Sequence, residues 1–280
     1  RGNGVSNLSW TSKGRKITYS TETNDKTSIF TFDFALQQEK LIASEIENLS
    51  YSIWSPNDDY LILSIYEEAQ KEEGPTRRFL SIEDRWPGWR NRSYLYKLDI
   101  KTGIKERLTY GNLSTDIYDI SSDGRYILFG TSKPDYKAVP FSLNSEYVMD
   151  IQSYKVDTLW KDERNSGSAS FSPDGKKLLV LGSPFAFNGI GTNVRKGFVP
   201  NAYDIQAYIY DVSTKGVVAI SKTFNPNIKS GFWSKSEDAI YFDCEDEDFE
   251  RLYRYDLNKK EYKNVPINGD ILNAISYNYS

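Results

Sequence analysis

Arg85-Trp86-Pro-Gly-Trp89-Arg90 sets two guanidinium groups beside two indole rings within six residues. Planar cations next to aromatic faces suit the recognition of peptide carboxylates or carbonyls. The same pattern also suits a long insertion anchored by its two Trp, with the Arg side chains solvated. Asp243-Cys-Glu-Asp-Glu-Asp-Phe-Glu250 holds six carboxylates in eight residues. Oxygen-rich runs can bind Ca²⁺, but the EF-hand spacing around a central Gly is missing. Like charges repel, so a solvated hairpin loop is expected there. Cys244 lies inside this run, where acidic neighbours disfavour a thiolate; a small, partly buried hydrophobe is expected. Asn188-Gly-Ile-Gly191 begins like a nucleotide fingerprint, yet position 194 is Val and no helix follows.

Other chemistries are excluded by count. The 280 residues contain no His, one Cys and one Met. A Ser-His-Asp or Cys-His centre, a His-ligated metal, an internal disulfide, a Cys-only zinc site and an iron–sulfur cluster are therefore absent. No catalytic residue, metal ligand set or cofactor motif is assigned. A net charge of −4 gives no electrostatic case for nucleic acid. No apolar run approaches the roughly 18–20 residues of a membrane span. Arg1 in place of Met reads as a processed protein or a piece of a larger one. Asn-x-Ser sequons at Asn7, Asn48, Asn91, Asn112 and Asn278 matter only in a eukaryotic secretory setting.

The elements that must position these residues come from an internal repeat. Trp10-Thr-Ser-Lys-Gly-Arg15, Trp54-Ser-Pro-Asn-Asp-Asp59, Ile120-Ser-Ser-Asp-Gly-Arg125, Phe171-Ser-Pro-Asp-Gly-Lys176 and Trp233-Ser-Lys-Ser-Glu-Asp238 share one template. Each is a turn, because Pro fixes φ and Gly tolerates φ > 0. An apolar strand follows each turn: Ile17–Tyr19, Tyr60–Ile65, Tyr126–Phe129, Leu178–Leu181 and Ile240–Phe242. A further strand then ends at an Asp that opens a polar turn, as in Leu252-Tyr-Arg-Tyr-Asp256. A short strand closes the unit, as in Lys105–Thr109 and Val217–Ser221, and one precedes each turn, as in Tyr51–Trp54 and Asp116–Ile120. Four short antiparallel strands in about 40–50 residues describe a β-propeller blade.

The expected fold class is therefore all-β, a propeller of four-stranded antiparallel blades with five repeats and the start of a sixth. A truncated larger propeller fits the same count. The reading treats 1–280 as a single propeller domain with repeats at about 5–49, 50–111, 112–163, 164–223 and 224–267. The sixth would start at 268–280, with Ile271–Tyr277 as its first strand. Insertions are expected at Glu67–Arg92, Pro134–Ser145 and Pro184–Gln206. A weak helical pattern runs near Ile65–Glu73.

The template resembles the PD40 repeat, which builds TolB-type propellers and the propeller of prolyl-oligopeptidase-family (S9) serine peptidases. The resemblance covers about residues 5–277. Arg85–Asp99, ending in Leu108-Thr109, is similar to a stretch of acylaminoacyl- and dipeptidyl-peptidase propellers, and Phe171–Ile220 resembles bacterial S9 propellers. The resemblance implies a domain that caps a C-terminal α/β-hydrolase domain carrying the triad and a Gly-x-Ser-x-Gly elbow. This chain has no such elbow; Gly130-Thr-Ser-Lys-Pro134 lacks the final Gly. Dipeptidyl-peptidase propellers bind the substrate amino terminus with paired glutamates. Glu67-Glu68 offers that residue type, although it follows the Trp54 unit's strand directly, away from the family's position. The substrate-contact set expected from both sources is Arg85, Trp86, Trp89, Arg90, Glu67 and Glu68.

The function implied is a non-catalytic propeller that gates access of peptides to the hydrolase domain, in a periplasmic or secreted bacterial protein. The alternative is a stand-alone TolB-like scaffold for protein or ligand binding. A propeller lyase or glycosidase is a third class. The lyases resembling this repeat rely on His, and an inverting glycosidase needs two carboxylates roughly 6.5–9.5 Å apart.

Overall fold

A Ser or Thr in every template turn and an Asp at the end of every third strand explain why the chain folds into repeated short strands. The computed structural model describes residues 4–70, 74–76, 79, 81–271 and 275. In four of the turns the Ser hydroxyl bonds an Asp carboxylate two or four residues on: Ser55–Asp59, Ser121–Asp123, Ser172–Asp174 and Ser234–Asp238, at 2.5–2.8 Å. The same hydroxyls accept the backbone N–H that starts the next strand, at Tyr60, Tyr126, Lys177 and Ala239. At the same end of each sheet, where the third strand stops beside the start of the second, Asp33, Asp99, Asp150, Asp211 and Asp256 each accept the two N–H groups two and three residues on. These are Asx turns, which close a tight reversal with a side-chain oxygen.

Five four-stranded antiparallel sheets result. The first holds β1 (Val5–Trp10), β2 (Lys16–Thr23), β3 (Lys26–Asp33) and β4 (Gln38–Glu47). The second holds β5 (Leu49–Trp54), β6 (Tyr60–Glu67), β7 (Arg92–Asp99) and β8 (Lys105–Arg107). The third holds β9 (Thr115–Ile120), β10 (Tyr126–Pro134), β11 (Ser142–Asp150) and β12 (Val156–Glu163). The fourth holds β13 (Ser166–Phe171), β14 (Lys177–Gly182), β15 (Gln206–Asp211) and β16 (Val217–Ala219). The fifth holds β17 (Asn227–Trp233), β18 (Ala239–Asp246), β19 (Phe249–Asp256) and β20 (Glu261–Val265). Each sheet is a meander in chain order, so the blades expected from the repeat are the sheets observed.

The chain divides into two units, residues 1–117 and 118–280. In the first, the core lies between the first two sheets, where Ile29 and Ile46 meet Leu61, Leu63, Ile65 and Leu98. In the second, Leu128, Val148 and Trp160 of the third sheet pack on Phe171, Leu178, Tyr208 and Tyr210 of the fourth. Leu179, Leu181 and Ala207 of the fourth pack in turn on Trp233, Ile240, Phe242 and Cys244 of the fifth. The fourth sheet is thus apolar on both faces, as its near-continuous hydrophobic strands require.

Several local expectations change. Of the helical pattern near Ile65–Glu73, Ile65–Glu67 are instead the end of β6 and pair with Arg92–Tyr94, and residues 71–73 lie outside the described residues. The 134–145 insertion shrinks to a 135–141 loop because β10 and β11 pair out to Pro134 and Ser142. Of the acidic run, Asp243–Asp246 end β18, Phe249 and Glu250 begin β19, and only Glu247, at φ 57, and Asp248 form the reversal between them. Cys244 is fully buried, not partly. The strand read at Ile271–Tyr277 falls almost wholly outside the described residues. Among the described residues, no helix is long and apolar enough to cross a membrane.

Candidate functional site

In every sheet the loop between the second and third strands leaves from the same end as the segment that enters the first strand. The long insertions of the second, third and fourth sheets are all of this kind, so each of these three sheets carries its longest loop at that end.

In the first unit, β6 ends at Glu67 and β7 begins at its register partner Arg92. The insertion between them contains a 3₁₀ turn, Ile82–Arg85. Asp84 on that turn is 1% exposed. Arg90 grips it with two parallel bonds, Nε to Oδ1 at 2.7 Å and Nη2 to Oδ2 at 2.8 Å. Arg90 is therefore committed to closing its own loop, since a buried carboxylate needs such a partner. Asn91 ties the loop to the strand: its Oδ1 accepts from Ala69 N at 2.9 Å and its Nδ2 donates to the Tyr66 hydroxyl. Trp86 and Trp89 meet edge to face at 5.8 Å, and the Arg85 guanidinium lies 4.9 Å over Trp86. Trp86 is 49% exposed and Arg85 is exposed, so this cation and ring face solvent.

The two glutamates part company. Glu67 accepts from the Tyr96 hydroxyl at 2.5 Å and pairs with Arg107 at 2.9 Å. Arg107 in turn stacks on Tyr94 at 3.9 Å and Tyr110 at 4.6 Å. Burial and the Glu67 carboxylate push the Tyr96 hydroxyl up to about 12. Glu68 is exposed. The six expected contact residues thus share one end of the second sheet, with Arg85, Trp86 and Glu68 open to solvent and Arg90 and Glu67 held by internal partners.

In the second unit a cavity of about 1080 Å³ opens among the insertions. Its walls are the 135–141 loop, the turn before β13, the 184–206 insertion and Lys229 of β17. Arg164 builds one wall. Its Nη2 contacts the Asp135 carboxylate at 2.5 Å, and its Nη1 donates to the carbonyls of Ala138 at 2.9 Å, Asp135 at 3.3 Å and Pro140. Lys229 is neutralised by Glu250 at 2.5 Å. With both cations paired, the polar lining is set by Asn144, Asn165, Ser168 and Asn188, beside Leu181, Phe185, Tyr203 and Ile205. Neutral amides and hydroxyls over apolar side chains suit an uncharged, hydrogen-bonding ligand.

The insertion is shaped from below. Phe187 and Asn188 take left-handed backbone, φ 52 and 63, a costly conformation for Phe. The Phe187 ring offsets it by packing on Trp160 at 5.4 Å and Tyr208 at 5.5 Å, and its N–H bonds Glu163 at 3.3 Å. Gly191 is required because a Cβ there would lie 2.3 Å from the Tyr208 hydroxyl and 2.6 Å from Gln206 Oε1. The glycines of Asn188-Gly-Ile-Gly191 thus serve a turn and a close packing contact. Beneath the cavity, Glu146 shares a face of β11 with Asn144 and is fully buried. Neither of its carboxyl oxygens has a partner. Burial, opposed by the Trp160 side chain and aided by the nearby Glu163, pushes its carboxyl up to about 8.

Sequence reasoning missed Arg164, Asn165, Asn188, Lys229 and Glu146 as site residues. The signal available was the two insertions that wall the cavity. Among the described residues no group of three or more His, Cys, Asp or Glu is placed to hold a metal ion.

No family model matches the sequence, and no curated protein matches it. Solved structures do. The Pyrococcus horikoshii acylaminoacyl peptidase superposes with a TM-score of 0.67 at 14% identity, over 98% of this chain and 40% of that one. An oligogalacturonate lyase from Vibrio parahaemolyticus gives 0.64 at 11% identity, over 94% and 66%. TolB from Acinetobacter baumannii gives 0.55 at 15% identity, over 96% and 56%. This chain therefore spans only 40–56% of the peptidase and TolB chains. At such identities the likeness shows the fold, which is that of the TolB-like and acylaminoacyl-peptidase β-propellers.

Proposed function

We propose that this chain is the non-catalytic propeller domain of a prolyl-oligopeptidase-type serine peptidase, and that its insertions gate peptide access to a C-terminal α/β-hydrolase domain. The observation that carries the reading is where exposed apolar side chains sit. Phe79, Ile82 and Trp86 lie on the second sheet's insertion, and Tyr136, Val139 and Phe141 on the third's. Phe198, Val199 and Tyr203, 71–86% exposed, lie on the fourth's. Large apolar groups held in water on long loops mark a surface that another protein domain covers. Of the expected contact set, Arg85, Trp86 and Glu68 are the proposed peptide contacts of the first unit, with Trp89, Arg90 and Glu67 shaping the loop beneath them, and the neutral cavity is that of the second. A periplasmic or secreted setting accompanies this reading.

The test is turnover of dipeptidyl and acylaminoacyl chromogenic substrates by the pure chain and by the full-length protein. The expected result is none from the chain and hydrolysis by the full-length protein. Turnover by the pure chain at rates above background overturns the non-catalytic role. A second reading, a stand-alone TolB-like binding scaffold, is supported by the likeness to TolB. It predicts a full-length protein without a Gly-x-Ser-x-Gly elbow and without peptidase activity.

A further inference from the structure

In the cavity of the second unit the charged groups are paired internally and the neutral ones are not. Arg164 and Lys229 are the charged side chains of the lining, and no carboxylate belongs to it. Arg164 is held by Asp135 and three carbonyls, and Lys229 by Glu250. By contrast, the side-chain amides of Asn165 and Asn188 and the hydroxyl of Ser168 make no hydrogen bond among the described residues. Asn144 gives its Nδ2 to the Ser166 carbonyl at 3.1 Å and keeps its Oδ1.

One carboxylate sets the spacing of these amides. Glu163 Oε1 accepts from Asn165 N at 3.1 Å, and its Oε2 accepts at 3.3 Å from the N–H of Phe187, the residue before Asn188. Glu163 is also the register partner of Asn144. Amides from three segments are thereby held around one opening, with Glu163 as their positioning residue. The β13–β14 ladder is bulged at the same place. Gly167 and Ser168 stand opposite Leu181 alone, between the pairs Ser166–Gly182 and Ala169–Val180. A bulge leaves one residue out of the ladder, so main-chain groups add to the polar lining. Leu181, Ile205, Phe185 and Tyr203 supply an apolar wall beside it.

At about 1080 Å³ the cavity stands at the upper end of the roughly 300–1,000 Å³ of small-ligand pockets, which leaves room for a segment of chain. Side-chain amides and main-chain groups pair with peptide groups, and the apolar wall accepts a side chain. A neutral sugar would set hydroxyls against Leu181 and Ile205 without partners. A charged side chain would give up water for a lining whose own charges are already satisfied. Resting on the cavity's role as a peptide contact, we infer that it selects peptide segments carrying an uncharged apolar side chain, whose flanking peptide groups bond the amides of Asn144, Asn165 and Asn188.

Isothermal titration calorimetry of the 280-residue chain at neutral pH tests this. The probes are acetyl-Gly-Ser-X-Ser-Gly-amide peptides with Leu, Phe, Glu or Lys at X, and maltotetraose as a neutral glycan. The Leu and Phe peptides are expected to bind about tenfold or more tighter than the Glu and Lys peptides. Asn188→Asp keeps the shape and tolerates the left-handed backbone. It is expected to tighten the Lys peptide about threefold or more and to weaken the Glu peptide by a similar factor. Equal affinities for the four peptides overturn the selectivity. Tightest binding of the Lys peptide overturns it in favour of the carboxyls of Glu163 and of Glu146 beneath. Binding of maltotetraose without binding of peptide overturns the peptide occupant, and no binding of any probe at millimolar concentration overturns the site. Peptide affinities unmoved by Asn188→Asp place the peptides elsewhere on the chain and overturn it as well. Ser168→Asp repeats that arm if Asn188→Asp does not melt cooperatively. Binding to the 280-residue chain is read without hydrolysis, so a failure here is distinct from a failure of the peptidase role, which turnover by the full-length protein reports.

Discussion

The Arg164 guanidinium and the Asp135 carboxylate lie 2.5 Å apart, joining the turn before β13 to the loop before β11. The same guanidinium holds three carbonyls of that loop. One planar fork thereby fixes the 135–141 loop as a wall of the cavity. The N–H of Lys137 and then the Arg164 cation hold the Asp135 carboxyl below the usual range.

Replacing Arg164 by Ala frees this loop. Limited proteolysis within 135–141 is expected to accelerate several-fold while the cooperative unfolding transition survives. Arg164→Lys is expected to behave like the Ala variant, because one ammonium cannot serve four acceptors in a plane. Cleavage at the unaltered rate contradicts the assigned clamp.

Glu146 makes stability fall as pH rises. Its folded value of about 8 stands above the ordinary 4.5. The contribution is full below the lower value and is lost on rising through the higher one. The loss is of the order of 4 kcal/mol across that window. Glu146→Gln keeps the shape without the charge. Urea unfolding at pH 5 and pH 8 is expected to show a smaller difference for the variant, with its gain confined to the higher pH. An unchanged slope removes Glu146 from the account.

The Asx turns act in the opposite direction. Their N–H groups lower Asp33, Asp99 and Asp256, while the Arg125 guanidinium and Asx N–H groups hold Asp150 at about 2. Backbone and hydroxyl donors hold Asp211 at about 2. Depressed carboxylates stabilise above the unfolded value and lose that contribution as pH falls toward 2. Asp211→Asn is expected to shift acid unfolding to a lower midpoint pH relative to its own neutral-pH stability. Circular dichroism through an acid titration reads this out.

Gly191→Ala is expected to cost about 1–3 kcal/mol, the usual scale of overpacking. Its Cβ would meet the Tyr208 hydroxyl, which already donates to the Ser183 carbonyl at 2.7 Å. Gly4→Ala, with nothing within 4 Å, is the control. Thermal melts of the two variants should differ; equal midpoints contradict the packing argument.

The sheets were legible because the repeat writes its own turn chemistry. The Ser or Thr at the position of Ser172 recurs in all five turns, with Gly at the position of Gly175 in three, and each Asp that opens a polar turn is an Asx turn in the structure. β4, β12 and β20 carried weaker signals, because Gln38–Glu47, Val156–Glu163 and Glu261–Val265 mix charges into an edge strand. The Arg85–Arg90 loop was visible by composition. What composition does not show is commitment: Arg90 is spent on Asp84, and Glu67 on Tyr96 and Arg107. The cavity was illegible for a related reason. Arg164, Asn188 and Lys229 are far apart in sequence and unremarkable in type, and only the folded insertions bring them together.

The central claim is that the insertions gate peptides for a hydrolase domain. Its most direct test replaces Val194–Tyr203 with a short Gly-Ser segment in the full-length protein. The readout is kcat/KM for a long peptide relative to a dipeptidyl chromogenic substrate. The account predicts that this ratio rises several-fold while the dipeptidyl rate stays near that of the unaltered protein. A ratio that does not move, in a variant with full dipeptidyl activity, contradicts it.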